Sequence, residues 1–239
     1  MAALPEKARV VIIGQGGIVG ASVAHHLVQN GWDDIVGLEK SAIPTDIGST
    51  SHASDFCYMT SHDKLNVFTS TYSREFYKSR GNFIEIGGME VARKGDDAQV
   101  QELLRKVGSG KAFGTNARMI TAAEAKERFP LLEEDTIECA MWDPDAGLVT
   151  PRSQKVAGDL VDEALAAGKL QAFAYTPAEE IIVENGRAVG VKTAKGTIMA
   201  DHVVLCVGIW GSLVSETAKV KLPLMPVEHP LLFFGPWDA

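Results

Sequence analysis

A glycine-rich turn between a short apolar strand and a helical pattern constrains the fold of this chain more than any other feature. Residues Arg9–Ile13 read RVVII, a β-branched run typical of a buried strand. Residues 14–20 read GQGGIVG, and apolar residues recur at helical spacing from Ala21 onward. A second short strand, Ile35–Leu38, completes the unit. A strand, turn, helix and strand in this order predict a parallel sheet with a right-handed crossover.

The turn is also the first candidate binding site. Glycines let a backbone approach a diphosphate, and a helix N-terminus offers free N–H groups and partial positive charge. We therefore predict that Gly14, Gly16, Gly17 and Gly20 bind a dinucleotide. Glu39 follows Gly20 by nineteen residues, close to the roughly 20 expected for a carboxylate that accepts hydrogen bonds from the ribose. A carboxylate there repels a 2′-phosphate, which favours FAD or NAD over NADP.

The spacing of the glycines departs from the usual G-x-G-x-x-G pattern. Counted back from Gly20, the first glycine position falls on Gln15. The distance to Glu39 favours anchoring the motif on Gly20, with one extra residue in the turn. A turn that only caps the helix and binds no ligand is the alternative interpretation.

Composition narrows the classes of partner. The formal net charge is −8, which disfavours nonspecific attraction to nucleic acid or to anionic lipid. The three cysteines are widely spaced along the chain, so they predict neither a disulfide framework nor a metal site. No stretch reaches the roughly 18 apolar residues of a membrane span, and the N-terminus carries no signal-peptide pattern. These features predict a protein of a reducing compartment.

Further elements follow along the chain. Residues 44–54 form a small, polar stretch that predicts a loop. Thr121 and Glu124 have the spacing of a capping box at the start of a helix. Asn185-Gly186, between two apolar runs, predicts a β-hairpin with a type I′ turn. The other predicted helices are 65–77, 98–107, 122–129 and 153–167, and the other predicted strands lie within 83–92, 136–142 and 198–207.

Several stretches, taken in order, resemble the D-amino-acid-oxidase-like FAD-dependent oxidoreductases, and within them the dimethylglycine and sarcosine dehydrogenase or oxidase branch. They read RVVIIGQGGIVGASVAHHL, LEKSAIPTDIGSTSHAS, IGGMEVA, ERFPLL, DAGLVTPR and VVLCVGIWG. The resemblance implies an α/β, Rossmann-like FAD-binding domain, with a parallel sheet flanked by helices, formed by residues 1–80 and 146–221. It implies an interleaved α+β substrate domain, present in part as residues 81–145 and 222–239. Family members are longer, so the resemblance implies a fold truncated at the C-terminus.

The same resemblance assigns roles to individual residues. The loop GSTSH is its most specific part, because in that branch a histidine at this position is joined covalently to the 8α-methyl carbon of FAD; here it is His52. A catalytic role near the substrate amine falls to His229, in the segment PVEHP. The remaining implied contacts to the cofactor are Lys40, Ser49, Thr50, Ser51, Ala178, Gly208 and Trp210. No metal ligand is implied.

The function implied by the resemblance is oxidation of the C–N bond of a secondary or tertiary amine, such as dimethylglycine or sarcosine, by hydride transfer to FAD. The alternative is a noncatalytic FAD-binding fragment or subunit that needs another chain for activity. An NAD-dependent reductase is a third class, which the GSTSH loop disfavours because a nicotinamide enzyme has no use for a tethering histidine. The expected partners are a small-molecule amine and an electron-transfer protein or completing chain. The expected location is the cytoplasm, or the mitochondrial matrix in a eukaryote.

Overall fold

The computed structural model describes residues 3–228, which form two compact units. Within these residues, the first unit takes in the chain up to Ser54 and again from Arg152 onward, and the second unit is Asp55–Pro151. Along the sequence, the second unit is therefore one continuous segment inserted between two segments of the first.

A six-stranded sheet forms the centre of the first unit. Its strands are β1 (Lys7–Ile13), β2 (Ile35–Leu38), β9 (Leu170–Phe173), β10 (Ala178–Glu184), β11 (Arg187–Thr193) and β12 (Gly196–Leu205). The strand order is β10-β11-β12-β1-β2-β9. β12, β1, β2 and β9 run parallel, while β10 and β11 extend one edge as an antiparallel hairpin. The α-helices of the first unit are α1 (Ile18–Gln29), α5 (Ser153–Ala166) and α6 (Gly211–Thr217).

The central strands are buried because nearly all of their side chains are apolar. Val10, Val11 and Ile12 of β1 are at most 1% exposed, and every residue of β2 is buried. Small side chains, including Ala21 and Ala24, line the buried face of α1, which packs on α5. Burial on both faces of the parallel strands accounts for their continuous rather than alternating hydrophobic pattern. The predicted α/β, Rossmann-like class is confirmed, as a mixed sheet flanked by helices.

The second unit contains two three-stranded antiparallel sheets and three helices. The strands are β3 (Phe56–Cys57), β4 (Phe83–Glu85), β5 (Gly88–Arg93), β6 (Arg118–Thr121), β7 (Ile137–Asp143) and β8 (Gly147–Val149), and the helices are α2 (Lys64–Ser79), α3 (Asp97–Ala112) and α4 (Ala122–Arg128). One sheet has the order β3-β8-β4 and the other β5-β7-β6. Asp143, which is fully buried, holds the chain after β3 by accepting hydrogen bonds from the backbone N–H groups of Met59 and Thr60, at 3.1 and 2.8 Å.

The boundaries of the units differ from the division predicted at residues 80, 145 and 221. Residues 55–80 group with the second unit because α2 packs on β4, and residues 146–151 do so because β8 pairs with both β3 and β4. Described residues from 222 onward group with the first unit, where the Ser212 hydroxyl donates to the carbonyl of Leu224, at 3.1 Å. The assignment of one unit to the cofactor and the other to the substrate remains a proposal.

The structure confirms the predictions that depend on residues only a few positions apart in the sequence. The capping box is present, with Thr121 and Glu124 each accepting a hydrogen bond from the other's backbone N–H. Asn185 and Gly186 both have positive φ, of 51° and 77°, as a type I′ turn requires. Helix α1 begins at Ile18, three residues before the predicted Ala21, because the glycine-rich turn itself enters the helix. Among residues 3–228, no helix is both long and apolar enough to cross a bilayer.

Candidate dinucleotide-binding cleft

A cleft of about 810 Å³ opens in the first unit where the parallel strands end. It is lined by Ile13 at the end of β1, by Leu38 at the end of β2 and by Leu205 at the end of β12. Ligands of open α/β sheets bind at the carboxyl ends of the strands. The volume also lies within the range usual for pockets that hold small molecules and cofactors.

The glycines of the turn permit close backbone packing around this cleft. Gly14 has a φ of +92°, and a Cβ there would lie 2.4 Å from the carbonyl oxygen of Cys206. A Cβ on Gly20 would lie 2.1 Å from the carbonyl oxygen of Gly14. Gly16 packs against the backbone of Ala42 and Thr45. Gly14 and Gly17 line the cleft, whereas Gly16 and Gly20 do not. The absence of a side chain at Gly16 lets the following loop pack against the turn, and its absence at Gly20 lets helix α1 pack against the turn.

Gln15, which stands at the first glycine position when the motif is anchored on Gly20, does not line the cleft. Its side chain is fully buried, and its Nε2 lies 3.4 Å from the carbonyl oxygen of Gly20. A Cβ on Gly37 would meet the Gln15 side chain at 2.5 Å, so glycine in β2 makes room for it. The turn therefore accommodates the Gln15 side chain within the core, and the helix still starts beside the cleft.

Glu39 lies on the wall of the cleft as a buried carboxylate, 6% exposed. Its Oε2 accepts a hydrogen bond from the Gly16 N–H at 3.0 Å, and its Oε1 accepts from the N–H and hydroxyl of Ser41, at 3.1 and 3.3 Å. A carboxylate offers about four acceptor sites, so capacity remains for a ligand hydroxyl. The same side chain thus fixes the turn and faces the cleft.

The start of α1 forms another part of the wall. Gly17 is the N-cap, with no side-chain hydrogen bond of its own, and the Ile18 N–H donates to Thr50 Oγ1 at 3.0 Å. Thr50 and Ser49, from the predicted loop, line the cleft beside this helix end. A helix N-terminus in this position supplies N–H donors and partial positive charge to an anionic ligand.

A cation and an indole ring meet in another part of the lining. Lys40 Nζ lies 3.5 Å from the centroid of the Trp210 ring, a cation–π arrangement. Gly208 and Ala178 also line the cleft. The structure therefore brings together, in one cleft, nine residues predicted from sequence: Gly14, Gly17, Glu39, Lys40, Ser49, Thr50, Ala178, Gly208 and Trp210.

His52 is exposed and lies beside the lining rather than in it, as does Ser51. The Ser51 hydroxyl donates to the Gly48 carbonyl at 2.8 Å, so toward His52 Nδ1, at 3.0 Å, it acts as an acceptor. His52 Nδ1 also lies 3.0 Å from that carbonyl oxygen, which can only accept. Both contacts require a proton on Nδ1, so in the neutral imidazole Nε2 carries the free lone pair.

Some lining residues were not predicted. They include Thr45, Ser153, Thr176, Cys206, Leu222 and Leu224. Thr176 and Cys206 each lie two residues before a predicted position, Ala178 and Gly208, so their proximity in the sequence could have identified them. Leu222 and Leu224 belong to no motif that could have identified them. Burial raises the pKa of the Cys206 thiol to about 11. The predicted catalytic residue, His229, lies outside the described residues.

The lining fits a flavin or nicotinamide dinucleotide. It offers a glycine turn in close contact with neighbouring backbone, a helix N-terminus for a diphosphate and a carboxylate for ribose hydroxyls. Within the described part of the chain, no group of three or more His, Cys, Asp or Glu side chains is arranged to hold a metal ion.

Comparison with known proteins points to flavin. The model of the DAO family, described as FAD dependent oxidoreductase, matches residues 9–239. Two curated relatives are each 30% identical: the mitochondrial pyruvate dehydrogenase phosphatase regulatory subunit of Mus musculus, over 99% of this chain and 27% of the relative, and the mitochondrial sarcosine dehydrogenase of Homo sapiens, over 95% and 25%. The chain thus spans about a quarter of the length of these relatives. The L-proline dehydrogenase structure from P. horikoshii is 31% identical with a TM-score of 0.81, over 91% of this chain and 57% of that one.

Proposed function

We infer, from a chain that belongs to the DAO family of FAD-dependent oxidoreductases, that its cleft binds FAD for the oxidation of an amino-acid or N-methyl amino-acid substrate. The observation that carries the proposal is the cleft itself, where the glycine turn, the start of α1 and Glu39 meet at the carboxyl ends of parallel strands. In this arrangement Glu39 would hold the ribose hydroxyls, and the N–H groups at the start of α1 would hold the diphosphate. Bound FAD would accept hydride from the C–H bond next to the substrate nitrogen.

The finer proposal concerns the substrate. We propose a secondary or tertiary amine such as sarcosine or dimethylglycine, which loses hydride from an N-methyl group to become an iminium ion. Water adds to this ion, and the adduct releases the demethylated amine, an aldehyde and a proton. The similarity to a protein named sarcosine dehydrogenase supports this class. His229 remains our prediction for the group that holds the amine in its neutral form, which is the form able to give up hydride. The electrons would then pass to an acceptor such as an electron-transfer protein.

We further propose that His52 is the covalent attachment point for FAD. Support comes from its exposed ring beside the cleft and from the two Nδ1 contacts, which leave the Nε2 lone pair free to form the bond. The loop GSTSH positions the ring through its own backbone, because the acceptor is the carbonyl of Gly48. An FAD held this way would survive denaturation of the protein.

Acid precipitation tests the tether. The chain is expressed, precipitated with acid and examined for flavin fluorescence in the denatured pellet. We expect retained fluorescence, lost in His52→Ala and kept in the matched variant His62→Ala, which removes another exposed histidine. Flavin found only in the supernatant of the unaltered protein would reject the covalent link while leaving FAD binding intact.

A noncatalytic role is the second candidate. It is favoured by the 30% identity to a protein named as a phosphatase regulatory subunit. In that case the chain would hold FAD and act only together with another chain. Anaerobic mixing with sarcosine or dimethylglycine separates the two candidates, since bleaching of the flavin absorbance supports the enzyme, and a cofactor that stays oxidised supports the noncatalytic role.

For a eukaryotic source, the mitochondrial names of both relatives support a matrix location.

A further inference from the structure

Thr45 is a buried residue of the cleft wall that no sequence motif identified. It is 5% exposed and lies in the loop of residues 44–54. Its backbone N–H donates to the Gly16 carbonyl at 2.9 Å, which ties the loop to the glycine turn. Its backbone carbonyl accepts a hydrogen bond from Gln154 Nε2 at 2.8 Å, which ties the loop to the start of α5. Both backbone groups of Thr45 are therefore fixed by neighbouring parts of the first unit.

The side chain of Thr45 begins a chain of hydroxyl groups that ends at Glu39. Thr45 Oγ1 lies 2.9 Å from Ser41 Oγ. Within residues 3–228, Ser41 Oγ is the only hydrogen-bond partner of the Thr45 hydroxyl. Ser41 Oγ lies in turn 3.3 Å from Glu39 Oε1, and Ser41 is 7% exposed. All three side chains are shielded from solvent, where a hydroxyl proton without an acceptor is costly.

The carboxylate determines the direction of these hydrogen bonds. Ionised Glu39 can only accept, and each hydroxyl has a single proton to donate. If Ser41 donates to Glu39 Oε1, its oxygen is free to accept from Thr45, and both protons are used. The other acceptor near the Ser41 hydroxyl, the Ala42 carbonyl, is farther away, at 3.5 Å. The reverse direction would leave the Thr45 proton without an acceptor, so the hydrogen bonds run from Thr45 to Ser41 to Glu39.

These hydrogen bonds fix the orientation of the Glu39 carboxylate. Oε2 accepts from the Gly16 N–H, and Oε1 accepts from the N–H and the hydroxyl of Ser41. Rotation of the carboxylate would break hydrogen bonds on both oxygens. The acceptor capacity that remains for a ligand therefore keeps a fixed direction, and hydrogen bonds in a connected network strengthen one another.

We propose that Thr45 is a positioning residue for recognition of the cofactor ribose. Its hydroxyl orients that of Ser41, which in turn orients Glu39, the residue proposed to hold the ribose hydroxyls. Thr45 thereby increases the preference for a ligand with a 2′-hydroxyl without forming a hydrogen bond to that hydroxyl. The inference rests on the proposed function, because it requires a ribose at Glu39.

Calorimetric titration with ADP and with 2′-deoxy-ADP tests this role, because the two ligands differ in one hydroxyl. For the unaltered chain we expect ADP to bind about tenfold more tightly, the size of one hydrogen bond to a charged group. Thr45→Val, which replaces the hydroxyl with a methyl group, should lower this preference about threefold, the effect of one hydrogen bond between uncharged groups. Thr45→Ser restores a hydroxyl and should retain the preference.

Thr193→Val is the matched control. Thr193 is also a buried threonine of the first unit, 4% exposed, but it does not line the cleft. Its hydroxyl donates to the Gly196 carbonyl at 2.9 Å, so the substitution also removes a buried hydrogen bond. The preference for ADP over 2′-deoxy-ADP should be unchanged in this variant. A loss equal to that of Thr45→Val would mean that general destabilisation is the cause, and would overturn the proposal.

A double variant separates positioning from direct contact with the ligand. Ser41 does not line the cleft, so Ser41→Ala should lower the preference through Glu39. Adding Thr45→Val to Ser41→Ala should have no further effect on the preference, because residues that act in one chain of hydrogen bonds are not additive. A further loss in the double variant would show that Thr45 contacts the ligand itself, and would overturn the proposal.

Circular dichroism verifies that each variant is folded. An unchanged preference in folded Thr45→Val would contradict the proposal; if that variant does not fold, an unchanged preference in Ser41→Ala would do so. FAD binding is measured on the same samples. FAD bound by an unaltered chain that does not distinguish ADP from 2′-deoxy-ADP contradicts the role of Thr45 alone, whereas an unaltered chain that binds neither FAD nor ADP contradicts the proposed function and this inference with it.

Discussion

Gly20 shows how a single residue without a side chain determines the geometry of the cleft. A Cβ at this position would lie 2.1 Å from the Gly14 carbonyl oxygen, which is backbone and cannot rotate away. We expect Gly20→Ala to lower the free energy of unfolding by about 3 kcal/mol through overpacking. The measurement is urea denaturation followed by far-UV circular dichroism.

Gly108 provides the matched control, because it too lies in a helix but has no atom within 4 Å of an added Cβ. Gly108→Ala should raise the free energy of unfolding by roughly 0.5–1 kcal/mol, since alanine restricts the unfolded chain and favours the helix. Equal effects of the two substitutions would show that helix propensity, and not the contact with Gly14, governs Gly20.

Cys206 gives a second prediction at the level of one residue. Its thiol pKa is raised to about 11 by burial, and the thiolate is the reactive form. At pH 8 the thiolate fraction is then about 100-fold lower than for a thiol with a pKa near 9. We expect iodoacetamide to modify Cys206 correspondingly slowly, measured by mass spectrometry against a free cysteine peptide. Rapid modification in the folded chain would contradict the burial.

The capping box of α4 should make the stability of the protein depend on pH. Hydrogen bonds from the backbone and side chain of Thr121 lower the pKa of Glu124. Because the folded pKa is lowered, the stabilisation is fully present above the ordinary pKa of glutamate and is lost as the pH falls through the lowered value. Thr121→Ala should cost about 1 kcal/mol at neutral pH.

The pH dependence is tested with Glu124→Gln. Its deficit in the free energy of unfolding relative to the unaltered chain should be present at pH 7 and shrink toward about pH 3. Glu127→Gln, an exposed change on the same helix, should show no such dependence. Parallel pH profiles for the two variants would be the contrary result.

Whether a helix, strand or turn could be predicted from the sequence depends on how far apart in the sequence its interacting residues lie. The capping box, the type I′ hairpin and β1 were predictable because each depends on residues a few positions apart. Strands β3, β6, β8 and β9 were missed; they are two to four residues long and form only through pairing with distant strands. Such strands lack the length that gives a hydrophobic period its signal.

The candidate site was predictable for a similar reason. Glu39 and the glycines follow a fixed spacing imposed by the strand, turn and helix, and the structure places Glu39 on the cleft wall. By contrast, Leu222 and Leu224 line the cleft only because the chain after α6 returns to it.

At the scale of the whole molecule, the arrangement of the chain predicts a separable first unit. All residues that line the dinucleotide cleft lie before Ser54 or after Arg152. Strand β1, from the first segment, pairs with β12, from the second, so the sheet needs both segments but not the residues between them. The two ends lie close together, because Arg152 Nη2 donates to the carbonyls of Ser51 and Ala53, at 3.4 Å each.

We therefore expect that replacing residues 55–151 with a short Gly-Ser linker leaves a folded protein that still binds FAD. Flavin fluorescence quenching measures the affinity, and circular dichroism verifies the mixed α/β content. As a control, excision of the β10–β11 hairpin removes cleft-lining residues such as Ala178 and part of the same sheet, so FAD binding should be lost. If the linker variant folds but does not bind FAD, residues of the second unit must contribute to cofactor binding, and the assignment of the cofactor to the first unit alone would be wrong.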